Sequence, residues 1–241
     1  MLRARKLRTF LWLSLAFFCV LSFIAGILIS SSSLYSLQAN HFIRDWSLRQ
    51  DEPQPHAWLI AHGAIERAIN WYPVDNPNLF ITRGRIHDWR YYKKPIGDPI
   101  AAESRLLALT DYRHAAELQP SWPYTWIDIA LVKTRLGIVD QEALDALQNA
   151  FNAGQWRPDV LLKITETGVF AWNMLPARGK KLVMVSIDRG LASSTKTAGL
   201  VANSLEQLER ENAICNRLVV EYAYIKKWCS RAEAQKPALL R

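Results

Sequence analysis

The sequence predicts an all-α chain: one N-terminal membrane-crossing helix, then a superhelix of paired helices, closed at the C-terminus by a capping helix or helix pair. Three observations predict it. An uncharged apolar run, Thr9 to Ile29, lies near the N-terminus. From Gln38 onward, apolar residues recur at helical spacing between loop signals, with no strand-like alternation. A spacing of alanine, bulky residue, alanine and proline then returns along the chain.

Composition sets the frame. Half of the 241 residues are apolar and 22% are charged, so a packed core is expected rather than disorder. The net charge is +8, but Arg3, Arg5, Lys6 and Arg8 supply half of it ahead of the first acidic residue, Asp45. The remainder is spread too thinly for a nucleic-acid footprint, so no nucleic-acid partner is expected.

Residues 1–8 form a basic cytoplasmic tail, and residues 9–29, Thr9 to Ile29, form the transmembrane anchor. As a helix the run is about 31 Å long, matching a hydrocarbon core of about 30 Å. The rival is a cleaved signal peptide. Its apolar region would be shorter and would end at an Ala-x-Ala-like site, whereas Ser30-Ser31-Ser32-Ser33-Leu34-Tyr35 follows here. A retained anchor is therefore expected. Basic residues precede the span and the next one is Arg44, so the N-terminus stays cytoplasmic and the rest is exported. Residues 30–37 are expected to be a linker, 38–235 the helical domain and 236–241 a frayed tail.

Cys19 falls within the span, and no glycine or proline stands between Cys215 and Cys229. On one continuous helix these two would be about 21 Å apart, beyond disulfide reach. A bridge requires a break near Val219 to Tyr224; two semi-buried thiols are the plainer expectation.

The repeat has three copies: Ala61, Ile65, Ala68, Pro73; Ala108, Tyr112, Ala115, Pro120; and, more loosely, Ala146, Ala150, Ala153, Pro158. The distance from the first alanine to the proline is the same in each. Small residues on successive turns let two helices approach closely. The larger residue fills the groove, and proline stops the helix because it lacks the next N–H donor and clashes with the preceding turn. This resembles the second helix of a tetratricopeptide repeat. The first helix of such a repeat needs a large residue followed four positions later by a small one. Trp126 and Ala130, Ile164 and Gly168, and Phe80 and Gly84 supply such pairs, with Leu136-Gly137 at an inter-helix turn. Successive prolines are spaced more widely than the family period of about 34 residues, and the gap from Pro73 to Pro120 is the longer of the two. The run Lys93-Lys94-Pro95-Ile96-Gly97-Asp98-Pro99 is an extended loop that accounts for it. The expected units are 38–73, 76–120, 123–158 and 161–195, the first and last degenerate. Residues 198–235 supply one or two amphipathic capping helices.

The residues point away from catalysis. His41, His56, His62, His87 and His114 show no metal-ligand spacing, and His114 falls on a solvated helix face. Gly179-Lys180-Lys181 lacks the upstream glycine of a phosphate loop, since Met174 stands there. There is no Gly-x-Ser-x-Gly elbow. Asp140, Glu142 and Asp145 gather at a helix start, where acidic groups suit the helix dipole. No catalytic residue, metal or cofactor is expected.

Aromatic residues are the more informative feature, in the runs Trp122-Pro123-Tyr124-Thr125-Trp126 and Trp89-Arg90-Tyr91-Tyr92-Lys93-Lys94. They either fill repeat-to-repeat interfaces, the expectation for Trp126, or offer rings to a sugar or a partner helix. The tetratricopeptide resemblance implies a partner-binding groove on the first helix of a repeat. Counted from Pro123, it would be lined by Tyr124, Ile127, Leu131, Thr134 and Arg135.

A narrower resemblance involves the anchor, the run AESRLLALTDYRHAAELQPSWPYTWIDIALVKTRLG, the run Ala-Gly-Gln-Trp-Arg-Pro and Phe170-Ala171-Trp172. Together these resemble the VpsP family of bacterial polysaccharide-biosynthesis proteins, from the anchor to about Cys229. The resemblance implies a bacterial inner-membrane protein of single span with a periplasmic domain, acting without catalysis as a scaffold beside exopolysaccharide synthesis and export proteins. The alternatives are an extracytoplasmic carbohydrate-binding module that engages polysaccharide directly, or an assembly factor of another inner-membrane complex such as a secretion system. The anchor-plus-repeat design alone does not select among them.

Overall fold

The computed structural model describes residues 2–207, 214–215 and 222–235. Among them are ten α-helices and no strand, as the helical periodicity predicts. The chain divides into two compact units, Met1–Lys93 and Lys94–Arg241. The boundary lies in the Lys93–Pro99 loop, within the expected unit 76–120.

The first unit contains α1 (Leu2–Arg49), α2 (Pro55–Trp71) and α3 (Pro77–Trp89). Its N-terminal helix is long and apolar enough to cross a membrane, and its apolar window has no side chain buried against the protein. The expected linker at 30–37 is instead helical: α1 runs on without interruption. Serine hydroxyls disfavour helix interiors when they compete with the backbone, but here they bond within and between helices. The Ser33 hydroxyl donates to the Ile29 carbonyl at 2.8 Å, and that of Ser32 reaches across to the Ala68 carbonyl of α2 at 2.7 Å. The helices α1 and α2 are joined by a short connection and pack on each other, as do α2 and α3. Their core joins Ala39 and Trp46 of α1 with Trp58, Ala61, Ala64, Ile65 and Ala68 of α2, and Leu79 and Ile86 of α3. The first Ala-Ile-Ala copy is thus fully buried at a close helix contact.

The second unit contains α4 (Pro99–Leu118), α5 (Pro123–Arg135), α6 (Gln141–Gly154), α7 (Pro158–Phe170), α8 (Ala177–Ala192), α9 (Thr195–Gln207) and α10 (Ala223–Gln235). Consecutive helices from α4 to α9 pack on one another. Ala108, Tyr112 and Ala115 of the second copy are all buried. In the third copy Ala146 and Ala150 are buried, but Ala153 is exposed and Gly154 takes the inward position. Pro158 also departs from its expected part. It does not close α6 but opens α7, because proline at the first helical position gives up only an N–H that has no intrahelical partner. Pro55, Pro77, Pro99 and Pro123 open their helices in the same way.

Ile164 and Gly168 form the expected large-small pair on α7. A Cβ at Gly168 would stand 2.1 Å from Val183 Cγ2 of α8, so only glycine permits this helix approach. Gly137 has a φ of +81° and turns the chain from α5 to α6.

The two C-terminal cysteines are bridged, which corrects the expectation of two thiols. The Cα atoms of Cys215 and Cys229 are 5.7 Å apart. Tyr222 lies outside any helix and α10 begins at Ala223, so the break required for a bridge is present. Asp188 of α8 then docks α10, its Oδ1 accepting from the N–H groups of Tyr224 at 2.9 Å and Ile225 at 3.1 Å. The expected frayed tail at 236–241 lies outside the described residues.

Candidate partner-binding surface

The five residues expected to line a groove do not lie together on an open face. α5 packs against α4, α6 and α7, so most of its circumference is covered. Ile127 is only 2% exposed within the core of the second unit, and Thr134 is equally buried, its hydroxyl donating to the Ala130 carbonyl at 2.8 Å. Leu131 and Arg135 are half-buried. The Arg135 carbonyl is taken up by structure: it accepts from Gly97 N–H at 2.9 Å and from Arg105 Nη1 at 2.6 Å. Arg105 is one of the largest fully buried side chains and also donates to the carbonyls of Pro95 and Lys94, at 2.9 and 2.7 Å. It fastens the 94–98 loop to the end of α5. Trp126 packs against the core as expected, with its indole N–H donating to the Pro120 carbonyl at 2.7 Å.

Tyr124 stands in a different constellation. Its hydroxyl bonds Asp159 at the start of α7 and accepts from Arg157 Nη2 at 3.0 Å. Burial raises the Tyr124 pKa, and its hydrogen bond to Asp159 adds to the rise. That same bond, with Arg157 beside it, lowers the Asp159 pKa against the opposing effect of burial. The Arg157 guanidinium lies 5.4 Å from the Tyr124 ring centroid and 5.9 Å from that of Trp122, and the two rings are 5.2 Å apart. One residue earlier, Trp156 is 79% exposed. Arg189 of α8 covers one side of it, 4.9 Å from its ring centroid and equally close to Phe151. Arg189 is held by the Gln155 side chain at 3.1 Å. Two clusters result: Trp122, Tyr124, Arg157 and Asp159 at the N-terminal ends of α5 and α7, and Trp156 with Arg189 of α8, Phe151 and Gln155, joined through the consecutive residues Trp156 and Arg157.

This surface joins the Trp-Pro-Tyr and Gln-Trp-Arg-Pro segments, which are distant in the sequence. Each precedes or opens a proline-started helix, and that shared position was the available signal. Arg189 carried none, because its contribution depends on how α8 packs.

At the other end of α5, a charged cluster ties α4, α5 and α6 together. Lys133 is almost wholly buried; its ammonium bonds Glu142 and reaches Asp140 at 2.8 Å. Arg113 meets both Glu142 oxygens at 2.7 Å. The Arg113 hydrogen bonds lead in drawing the Glu142 pKa down to about 2, with Lys133 assisting against burial. Burial of Asp140 works the other way, but Lys133 and the Ala143 N–H it caps prevail and lower its pKa. The acidic residues at the start of α6 thus do more than complement a helix dipole.

In the first unit the histidines meet across helices. The rings of His62 and His87 are 5.1 Å apart, with Trp58 stacked on His62 at 4.8 Å and Arg90 over Trp58 at 4.4 Å. Burial, followed by the charges of His62, Arg83 and Arg90, pushes the His87 pKa down to about 3, so the ring is neutral at physiological pH. His114 is partly exposed on α4 near Glu117. Among the described residues no three histidine, cysteine or acidic side chains are grouped to hold a metal. The aromatic run after α3 serves the fold: Trp89 stacks on Tyr92 at 4.2 Å, and Tyr92 and Lys93 bind Gln50, Asp51 and Glu52 of the α1–α2 connection. No family model, curated protein or solved structure matches the chain.

Proposed function

We propose that this protein is a non-catalytic adaptor of tetratricopeptide-like build. It is held in a bacterial inner membrane by α1, with its helical domain on the periplasmic side, and gathers proteins of an exopolysaccharide synthesis and export machinery. The observation that carries the binding role is the Trp122–Tyr124–Trp156–Arg157–Arg189 surface. Tryptophan, tyrosine and arginine dominate the binding energy of protein interfaces, because large rings and a planar cation gain much contact for little lost freedom. The Cys215–Cys229 bridge supports an oxidising compartment, and the basic residues before the span support its orientation. The exopolysaccharide setting rests on the resemblance to the VpsP family.

The test is crosslinked capture of the intact protein from its native membrane, with captured proteins identified and glycan measured in the same eluate. Glycan polymerase or export components should be recovered with the unaltered protein and lost with Trp156→Ala and Arg157→Ala. Equal recovery with those variants would remove the surface from the account. One observation favours a second reading: Trp156 is largely exposed, with Arg189 over one side of its ring and Gln155 and Arg157 flanking it in the sequence. Polysaccharide captured without protein partners would make this surface a carbohydrate site instead.

A further inference from the structure

The way α2 packs on α1 carries the α2–α3 connection back toward the apolar segment. α2 runs antiparallel to α1: the two are joined at Arg49 and Pro55, and at the far end Ser32 bonds the Ala68 carbonyl. Arg67 lies over the Tyr35 ring at 5.2 Å, in the same register. Beyond Ala68, α2 descends three more residues to Trp71, about 4.5 Å, and α1 covers the same distance from Ser32 down to Ile29. Ile29 is the last residue of the apolar run, before four serines. Trp71 therefore sits level with the end of that run, and Tyr72, Pro73 and Val74 follow directly.

Two of these apolar side chains are exposed close together in the chain at the end of α2. Val74 is 68% exposed and Trp71 41% exposed, while Tyr72 is half-buried, its backbone N–H donating to the Ala68 and Ile69 carbonyls at 3.2 Å. Along residues 20–30 of α1 only Ala25 and Leu28 are partly covered, so the neighbouring surface of the helix is apolar and open. Tryptophan and tyrosine favour the headgroup layer of a bilayer, where the ring leaves water while its polar group stays hydrated.

We propose that the α2–α3 connection is a second membrane contact, with Trp71 and Val74 seated in the outer headgroup layer beside the point where α1 emerges. This rests on α1 being the membrane span. The seat fixes the tilt and rotation of the first unit, which a single helix leaves free. Its occupant is the lipid surface, continuous with the lipid around residues 9–29.

The test places an environment-sensitive fluorophore on single cysteines in the full chain, with Cys19→Ser removing the free thiol and the Cys215–Cys229 bridge kept intact. The sites are Val74→Cys, Phe23→Cys within the span, and Leu59→Cys. Leu59 is exposed on α2 nine residues before Ala68, about 14 Å farther from the membrane. The protein is reconstituted in phosphatidylcholine vesicles whose lipids carry a nitroxide quencher. The labels at positions 23 and 74 should lose intensity to the lipid-borne quencher, with blue-shifted emission. The label at position 59 should respond only to aqueous iodide. A label at 74 that behaves like that at 59, while the one at 23 is quenched by lipid, overturns the second contact and leaves the anchor standing. Loss of lipid quenching at 23 overturns the anchor, and the second contact with it.

Discussion

The two compact units are both helical, yet different forces hold them. The first is assembled mainly from apolar burial, with alanines on α1 and α2 bringing the helices together, Trp46 and Trp58 filling the remaining space, and single hydrogen bonds such as that of Ser32 to the Ala68 carbonyl pinning the contact. The second has a larger apolar core and sets charge within it, with Arg105 bonding three carbonyls, Lys133 beneath Asp140 and Glu142, and a disulfide at its end. A unit built on one long helix has its register set by that element. A unit built from seven shorter described helices gains a defined arrangement from buried polar groups, which are satisfied in one packing and costly in others.

Substitutions can separate these two modes. Trp58→Ala should cost the first unit about 3–5 kcal/mol through lost burial and the cavity left behind, read as exchange protection lost from α2 and α3 while α5 to α7 stay protected. Arg105→Leu should cost the second unit about 3 kcal/mol, because the carbonyls of Lys94, Pro95 and Arg135 lose a shared charged donor, with only the Asp98 and Gly97 N–H groups still reaching the last two. Its protection loss should begin at the 94–98 loop and spare the first unit. If either change melted both units together, the division would be wrong.

Opening the Cys215–Cys229 bridge with Cys229→Ser should cost about 3 kcal/mol, the chain entropy of a loop of about 15 residues. Thermal unfolding with and without reductant measures it: reductant should lower the midpoint of the unaltered protein and leave that of the variant unchanged.

The smallest effect is that of pH. The Glu142 pKa is held at about 2, below its ordinary 4.5, so its contribution is fully present above pH 4.5 and is lost as pH falls toward 2. Its side chain is partly exposed, so solvent screening keeps the gain modest. Glu142→Gln should flatten the acid limb of a stability-against-pH curve for the second unit. An unchanged acid limb would assign it to other carboxylates.

What was legible in the sequence was local. Ala61, Ile65 and Ala68, and Ala108, Tyr112 and Ala115, announce buried stripes because neighbours on a helix face are three or four residues apart. Ile164 and Gly168 did the same for a close helix approach. What was not legible depended on partners elsewhere in the chain. Four consecutive serines resembled a linker until Ser32 found the Ala68 carbonyl, 36 residues away. Pro158 fits the end of one helix or the start of the next on sequence alone, whereas the inward position of Gly154 continues the four-residue stripe of Ala146 and Ala150. The cysteine bridge waited on a helix break that no glycine or proline marked. The groove positions failed for a related reason: Ile127 and Thr134 are where a first helix should place groove residues, but other helices cover them. Tyr124 alone of the five contributes to the aromatic surface, and Arg157 and Arg189 join it only through folding.

The claim on which the rest depends is that α1 holds the helical units outside the cytoplasm. A reporter enzyme that is active only after export, fused after Arg241, tests it directly in bacteria expressing the intact chain. The account predicts an active, membrane-bound reporter and silence from a cytoplasm-only reporter at the same position. Activity from the cytoplasmic reporter alone would contradict the orientation, and with it the proposed place of the adaptor.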